Sequence, residues 1–240
     1  MTRQAHTSLL IATALAATAL PGLAATPVFV NPTTAYLSSA DIPTGFYAGG
    51  APTLLDNLED GLLDPSLIGT NGVLLSDTFR NARDSVDADD GVIDGTCGPQ
   101  PAGHCVSWFN GEGSQGVTFT FVGSGALPTA FGLVWTDGAG TITFSAVGAS
   151  GQSLGSLQAS GFPDGSFLAT TGEDRFFGIQ FAEGIRSIHI SNSAGGIEVD
   201  HIQYGQMAPV PEPESCALMA AGLLGLGALQ RRRRNAQAGA

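Results

Sequence analysis

The sequence predicts an all-β fold, an antiparallel β-sandwich or jelly roll, with an N-terminal signal peptide and a single short transmembrane helix at the C-terminus. Three observations predict the β class. From His104 onward, short β-rich runs recur at intervals of about ten residues, clusters of Gly, Asp, Ser and Pro separate them, and no convincing helical stretch lies between. The 34 glycines agree, being too many for a helical protein and lacking the triplet period of collagen.

In chain order, the first element is an export signal. Arg3 lies in a short polar start, residues 8–20 (SLLIATALAATAL) are apolar and uncharged, and Pro21 precedes Gly22-Leu23-Ala24. This charged, apolar, small-residue order is that of a secretory signal peptide, which assigns it residues 1–24, with cleavage after Ala24 or Ala25. A buried N-terminal helix is the alternative, but no charged residue occurs between Arg3 and Asp41 to give it a solvated face.

Residues 25–75, rich in Pro, Gly and Leu, read as short strands and turns joining the body. Residues 76–206 form the sandwich domain, in the runs HCVSWF, GVTFTFV, AFGLVWT, TITFSAV, SLGSL, SFLAT, RFFGIQF, IRSIHI and GIEVDHIQY. Alternation supports strands: Ile142, Phe144 and Ala146 share one face against Thr141, Thr143, Ser145 and Val147, and Val117, Phe119 and Phe121 oppose Thr118 and Thr120. Glycine clusters such as DGAG and SAGG read as turns between runs. Residues 207–240 comprise a linker and a C-terminal signal.

Charge narrows the partners. The chain has nine arginines and no lysine, and within the body only Arg80, Arg83, Arg175 and Arg186 face nineteen acids. Such a surface repels nucleic acid and anionic lipid. It suits divalent cations, neutral glycans or a cationic partner, with simple solubility as the other reading. Cys97 and Cys105 enclose a Gly/Pro-rich loop (CGPQPAGHC), and a disulfide there would stabilise an exported fold by about 2 to 3 kcal/mol. Zinc with His104 as a further ligand is its rival, without the CxxC or HxxxH spacing that supports it. Cys216 lies in the terminal apolar run as a small hydrophobe.

The tail, VPEPESCALMAAGLLGLGALQRRRR, joins a Pro-Glu-Pro to an apolar run from Cys216 to Leu229 and then to four arginines. A helix over about 215–230 would be short of the hydrocarbon core, roughly 21 Å for the fourteen-residue run against ~30 Å. Arginines left on the cytoplasmic side would put the acidic body outside the inner membrane. This tail resembles the PEP-CTERM sorting signal in Val210-Pro211-Glu212-Pro213, Ala217-Leu218, Gly222-Leu223 and Arg231, Arg232, Arg233 and Arg234. The resemblance implies export, transient inner-membrane anchoring, recognition by an exosortase-type transpeptidase and removal of the tail, often in bacteria that make exopolysaccharide. The body is similar to an uncharacterised PEP-CTERM-associated β-sandwich group through DSVDADDGVIDG (84–95), FGLVWTDG (131–138), GEDRFFGI (172–179) and GGIEVDHIQYG (195–205). That group brings no established activity.

For chemistry, the densest cluster places Asp84, Asp87, Asp89, Asp90 and Asp94 within eleven residues, and hard oxygen ligands in that density suit calcium. The EF-hand pattern fails, because Gly91 at loop position six would put Val86 and Ala88 at positions one and three and Cys97 at twelve. A solvated acidic loop is the alternative. Asp200 is a further candidate calcium ligand by fold-level analogy. Glu198 and Asp200 should share one face of a strand with His201 on the other, so the three form no compact site alone. A partnership of His201 with Ser107 or His104 has no G-x-S-x-G or H-E-x-x-H motif behind it. Trp135, at a strand end beside a polar turn, is the candidate for glycan stacking, against ordinary core packing. These readings predict an exported cell-envelope or extracellular-matrix protein that is structural or glycan-binding and associated with exopolysaccharide. A secreted carbohydrate-active hydrolase, with paired carboxylates, is the alternative.

Overall fold

The computed structural model of the chain describes residues 25–32, 34–75, 86, 106–163 and 171–209, together with 219, 221–228, 230–231 and 235 of the tail. Among the described residues of the body ten antiparallel strands form: β1 (Val28–Phe29), β2 (Leu54–Asp56), β3 (Leu67–Thr70), β4 (Val73–Leu75), β5 (Ser107–Asn110), β6 (Val117–Phe121), β7 (Ala130–Gly148), β8 (Ser153–Ala159), β9 (Arg175–Gln180) and β10 (Ile185–Gly205). The all-β expectation holds, and β1 to β4 lie within 25–75. They do more than join, since β1 pairs with β9, β2 with β10 and β3 with β6. The expected signal peptide, Cys97 and Cys105, and the run SFLAT lie outside the described residues.

One finding reorganises the expected strand list. AFGLVWT and TITFSAV are a single strand of 19 residues, β7, and IRSIHI and GIEVDHIQY are a single strand of 21 residues, β10. The glycine clusters read as turns, DGAG and SAGG, lie inside these strands. β7 and β10 pair along their whole length, from Ile185 opposite Gly148 to Gly205 opposite Ala130, with midpoint register shifts between Asn192 and Ala194 and between Ala194 and Ile197. Gly140 (φ 83°) and Gly195 (φ 70°) take left-handed backbone at this midpoint, where a bulge increases bend and twist.

The bend divides the sheet into two layers. In the first, β9 pairs with the first half of β7, which pairs with the second half of β10, and that half continues into β5 and β2. In the second, β8 pairs with the second half of β7, and the first half of β10 continues into β6 and β3. Rings from the two layers meet between them. Phe144 stands 5.8 Å from Phe177, Trp108 is 5.5 Å from Phe119, and Tyr204 is 5.1 Å from Phe121. These residues belong to one core that also contains Phe131, Leu133, Ile142 and Ile188, so burial of both inner faces drives the layers together.

The first layer is covered on its outer side as well. Ala130, Val134 and Phe176 point away from the main core into a second cluster with Tyr36, Phe46, Tyr47 and Val86. Burial on both faces explains why AFGLVWT has no polar alternation: every residue from Ala130 to Thr136 is buried. Gly132 is needed there, because a Cβ would come within 2.7 Å of both the Phe176 ring and the Phe177 carbonyl oxygen.

Asn192 holds the bend. Its side-chain amide donates 2.7 Å hydrogen bonds to the carbonyls of Ala194 and Gly196, its carbonyl oxygen lies 3.5 Å from the Trp135 indole nitrogen, and its backbone N–H donates to Gly113 O at 2.9 Å. The side chain is 2 % exposed, so loss of these bonds leaves buried carbonyls without a partner. Replacement Asn192→Ala is expected to lower unfolding free energy by about 2 to 4 kcal/mol, read by denaturant midpoint at unchanged m. A change below ~0.5 kcal/mol would show that the bend holds without Asn192.

Candidate functional site

The first candidate is the polar group buried at the second half of β10. Alternation through Glu198, Val199 and Asp200, with Val199 in the main core, turns both acids toward the outer side of the first layer. The ladder pairs Asp200 with Val134 and Trp135 with Arg175, so Asp174 comes level with Thr136 on the same side. Glu173, Asp174, Glu198, Asp200 and His201 are all buried.

His201 differs from expectation. Its backbone is left-handed (φ 45°), and the register shift between Asp200 and Gln203 marks an extra residue in β10. The bulge re-aims the side chain, bringing the imidazole to 5.7 Å from the Tyr36 ring. Tyr36 belongs to the second cluster, as does Val86, whose N–H donates to Asp200 Oδ2 at 3.1 Å. Asp200 and His201 therefore share a side that simple alternation would deny them. The Tyr36 segment is positioned by its own N–H bond to the Asp174 carbonyl (3.0 Å) and by Asp41, whose Oδ2 accepts the N–H groups of Leu37 and Ser38.

None of Glu173, Asp174, Glu198, Asp200 or His201 is without a partner. Asp200 Oδ1 also accepts the His201 N–H at 2.5 Å, so each carboxylate oxygen faces a backbone donor. Among the described residues no group of three or more His, Cys, Asp or Glu is placed to hold a metal ion. Of the calcium candidates, Asp84, Asp87, Asp89, Asp90 and Asp94 lie outside the described residues, and Asp200 is not gathered with other ligands within them. Ser107 continues the β5–β10 pairing to a place level with Asp200. Its hydroxyl is buried and makes no hydrogen bond among the described residues, whereas a nucleophile needs contact with its base and access to substrate. His104 lies outside the described residues.

Trp135, expected to stack on a glycan, is fully buried in the main core. The cover over the outer face of the first layer and the second layer beneath it leave the ring no open face. An acidic turn that sequence reasoning passed over forms a depression at 54–65, but its carboxylates are occupied by the turn itself. Asp56 accepts the N–H groups of Leu58 (3.1 Å) and Asp64 (2.7 Å), Asp60 accepts that of Leu62 (2.9 Å), and Asp64 accepts the Ser66 N–H (2.8 Å). Burial holds the Asp56 carboxyl above the usual carboxylate range despite these donors.

The outer face of the second layer has a different chemistry. Register aligns Thr70, Thr118, His189, Ser145 and Ser156 in one row across β3, β6, β10, β7 and β8. The Thr118 hydroxyl and His189 Nδ1 are 2.9 Å apart, and Thr70 and Ser156 are exposed at the two edges. Across these five strand segments Arg186 alone carries a full charge, in a chain of net charge −12. The signal was present in the polar positions of TITFSAV and GVTFTFV, but their alignment into one row depends on register.

Burial pushes the His189 imidazole below its usual range. The folded protein thus binds this proton less readily than the unfolded chain, so stability present at neutral pH declines as pH falls through the unfolded imidazole range near 6.5 and on to the lowered value. His189→Gln is expected to flatten the loss of melting temperature between pH 7 and pH 5. An unchanged slope would exclude His189 as a source of it.

Comparison with known proteins bears on the tail. Residues 209–234 match the PEP-CTERM protein-sorting motif. Of that span Arg231 is helical, Pro211, Glu212, Pro213 and Arg232 to Arg234 lie outside the described residues, and Leu223, Leu224 and Leu226 are exposed. Among the described residues no helix is long and apolar enough to cross a membrane. No curated protein matches the chain. Two solved structures are similar at 11 % identity: the C-terminal family 22 carbohydrate-binding module of Clostridium thermocellum Xyn10B (66 % of this chain, 97 % of that one) and a xylan-binding domain of the same module family (62 % and 95 %). Their TM-scores are 0.25, a likeness that carries no inference to this chain.

Proposed function

We propose that this PEP-CTERM protein, exported and sorted by an exosortase-type enzyme, delivers a β-sandwich to the cell envelope or extracellular matrix, where it binds neutral glycan as a structural component. The sorting motif at 209–234 carries the reading, because it implies export and processing at the membrane. Replacement of Pro211, Glu212 and Pro213 by alanine should leave the chain unprocessed in a host that has the sorting enzyme, as full-length mass in the membrane fraction. Processing of the variant at the wild-type rate would remove the basis for sorting through this motif.

The glycan part is supported by the hydroxyl row on the second layer. Hydroxyls donate and accept, as sugar hydroxyls do, and a face with so little charge avoids the cost of stripping water from unpaired ions. Strand separation of ~4.8 Å makes the five-strand row about 19 Å long, enough for several sugar units of an extended chain. Without exposed aromatic rings in that row each contact is weak, and a matrix component gains from many copies along one polymer. The acids just before β9 and in the second half of β10, Glu173, Asp174, Glu198 and Asp200, are buried and engaged, which favours binding over hydrolysis. Thr118→Val with Ser145→Ala keeps β-compatible side chains and should reduce retention on insoluble neutral polysaccharide at least five-fold, with melting temperature recorded alongside. Equal retention of wild type and variant would remove this face from the binding reading.

A further inference from the structure

The body remains hydrogen-bonded almost up to the sorting motif. β10 ends at Gly205, yet the Ala48 N–H donates to Gln206 O at 2.7 Å, the Thr129 hydroxyl to Gln206 Oε1 at 3.1 Å, and the Met207 N–H to Thr129 Oγ1 at 2.7 Å. Gly205 itself is packed against Thr53, Tyr47 and Pro52, and its carbonyl accepts the Thr129 N–H at 3.0 Å. Only Ala208, Pro209 and Val210 separate this anchored end from Pro211. Four residue steps, fully extended, reach about 14 Å, far less than the width of a domain of this size.

The surface around this exit is unusual in charge. Among the described residues, segments 42–55, 123–136 and 202–209 that meet there contain no Asp, Glu, Lys or Arg, and the adjoining turn, whose Phe181 and Ile185 N–H groups donate to Thr129 O and Pro128 O, adds one exposed acid, Glu183, although acids outnumber bases 21 to 9 in the chain. Ala51, Thr53 and Gln206 are exposed on it.

From the short tether and the charge-poor exit we infer that this end of the sandwich is a docking surface for the sorting enzyme itself, seated against the folded body while Pro211 to Pro213 are read. The inference rests on the proposed sorting through this motif. An enzyme holding the Pro-Glu-Pro cannot stand more than about 14 Å from Met207, so its surface meets the exit end and no other part of the body. The scarcity of charge among the described residues there lets the two surfaces close with few unpaired ions trapped between them.

The full-length chain, expressed in a host carrying the sorting enzyme, tests this through its rate of conversion to the processed form. Ala51→Glu, Thr53→Glu and Gln206→Glu together are expected to slow conversion at least ten-fold. Ser114→Glu with Ser160→Glu, exposed and away from the exit, should leave it within two-fold of wild type. A ten-residue Gly/Ser insertion after Pro209 adds an r.m.s. span of about 17 Å and should restore the triple variant to within two-fold of wild type. Conversion of the triple variant at the wild-type rate overturns the docking surface. So does a slow variant that the insertion fails to rescue, since proximity would then not be the cause, and melting temperature separates that result from misfolding. Lost binding to anionic vesicles with unchanged conversion would assign the surface to lipid and overturn the inference as well. Failure of the wild-type chain to be converted would instead overturn sorting through the motif.

Discussion

The pairing of β7 with β10 through a bend at their centre is the constraint on which the rest depends. Each strand serves both layers, so the two sheets cannot be set independently: the register of one half fixes the position of the other. Asn192 satisfies the carbonyls that the bulges expose, and close approach of glycine backbone makes room for it. A Cβ at Gly138 would come within 2.7 Å of the Asn192 amide oxygen, and one at Gly113 would meet the amide nitrogen. Buried polar groups of this kind stabilise a bend only when each is paired, which confines the sequence at the midpoint far more than on the strands.

The bend also separates charge. The half of the β7–β10 pair that joins β9 carries Asp137, Glu198 and Asp200, with Glu173, Asp174 and Arg175 beside it, and buries Glu173, Asp174, Glu198 and Asp200. The half that joins β8, β6 and β3 carries Arg186 alone. A strongly acidic chain thereby acquires one nearly neutral sheet face and a charge-poor exit from its last strand. Both follow from where the long strands bend, and both favour partners that acidic surfaces otherwise repel or leave hydrated.

Much of the fold was legible because burial writes a period of two into half-covered strands. Ile142, Phe144 and Ala146, and Val117, Phe119 and Phe121, face the core as their alternation predicts. Reading failed where that period was lost. AFGLVWT is covered on both faces, so Trp135 carried no sign of its full burial, and glycines at bulges resemble glycines at turns. The candidate site was less legible still. His201 sits at a bulge that alternation cannot foresee, and the hydroxyl row joins residues from five strands whose register is long-range.

The sequence by itself determined the class of fold, the acidic character of the body and the sorting motif at its end, because composition, local period and a contiguous motif need no distant contact to be read. Only the tertiary structure decided that four runs are two bent strands, that Trp135 is enclosed, that Asp200 and His201 lie together, and that the chain stays anchored up to Met207. Each of these depends on pairing between residues far apart along the chain, where register and burial on the second face are set by packing rather than by neighbours in sequence.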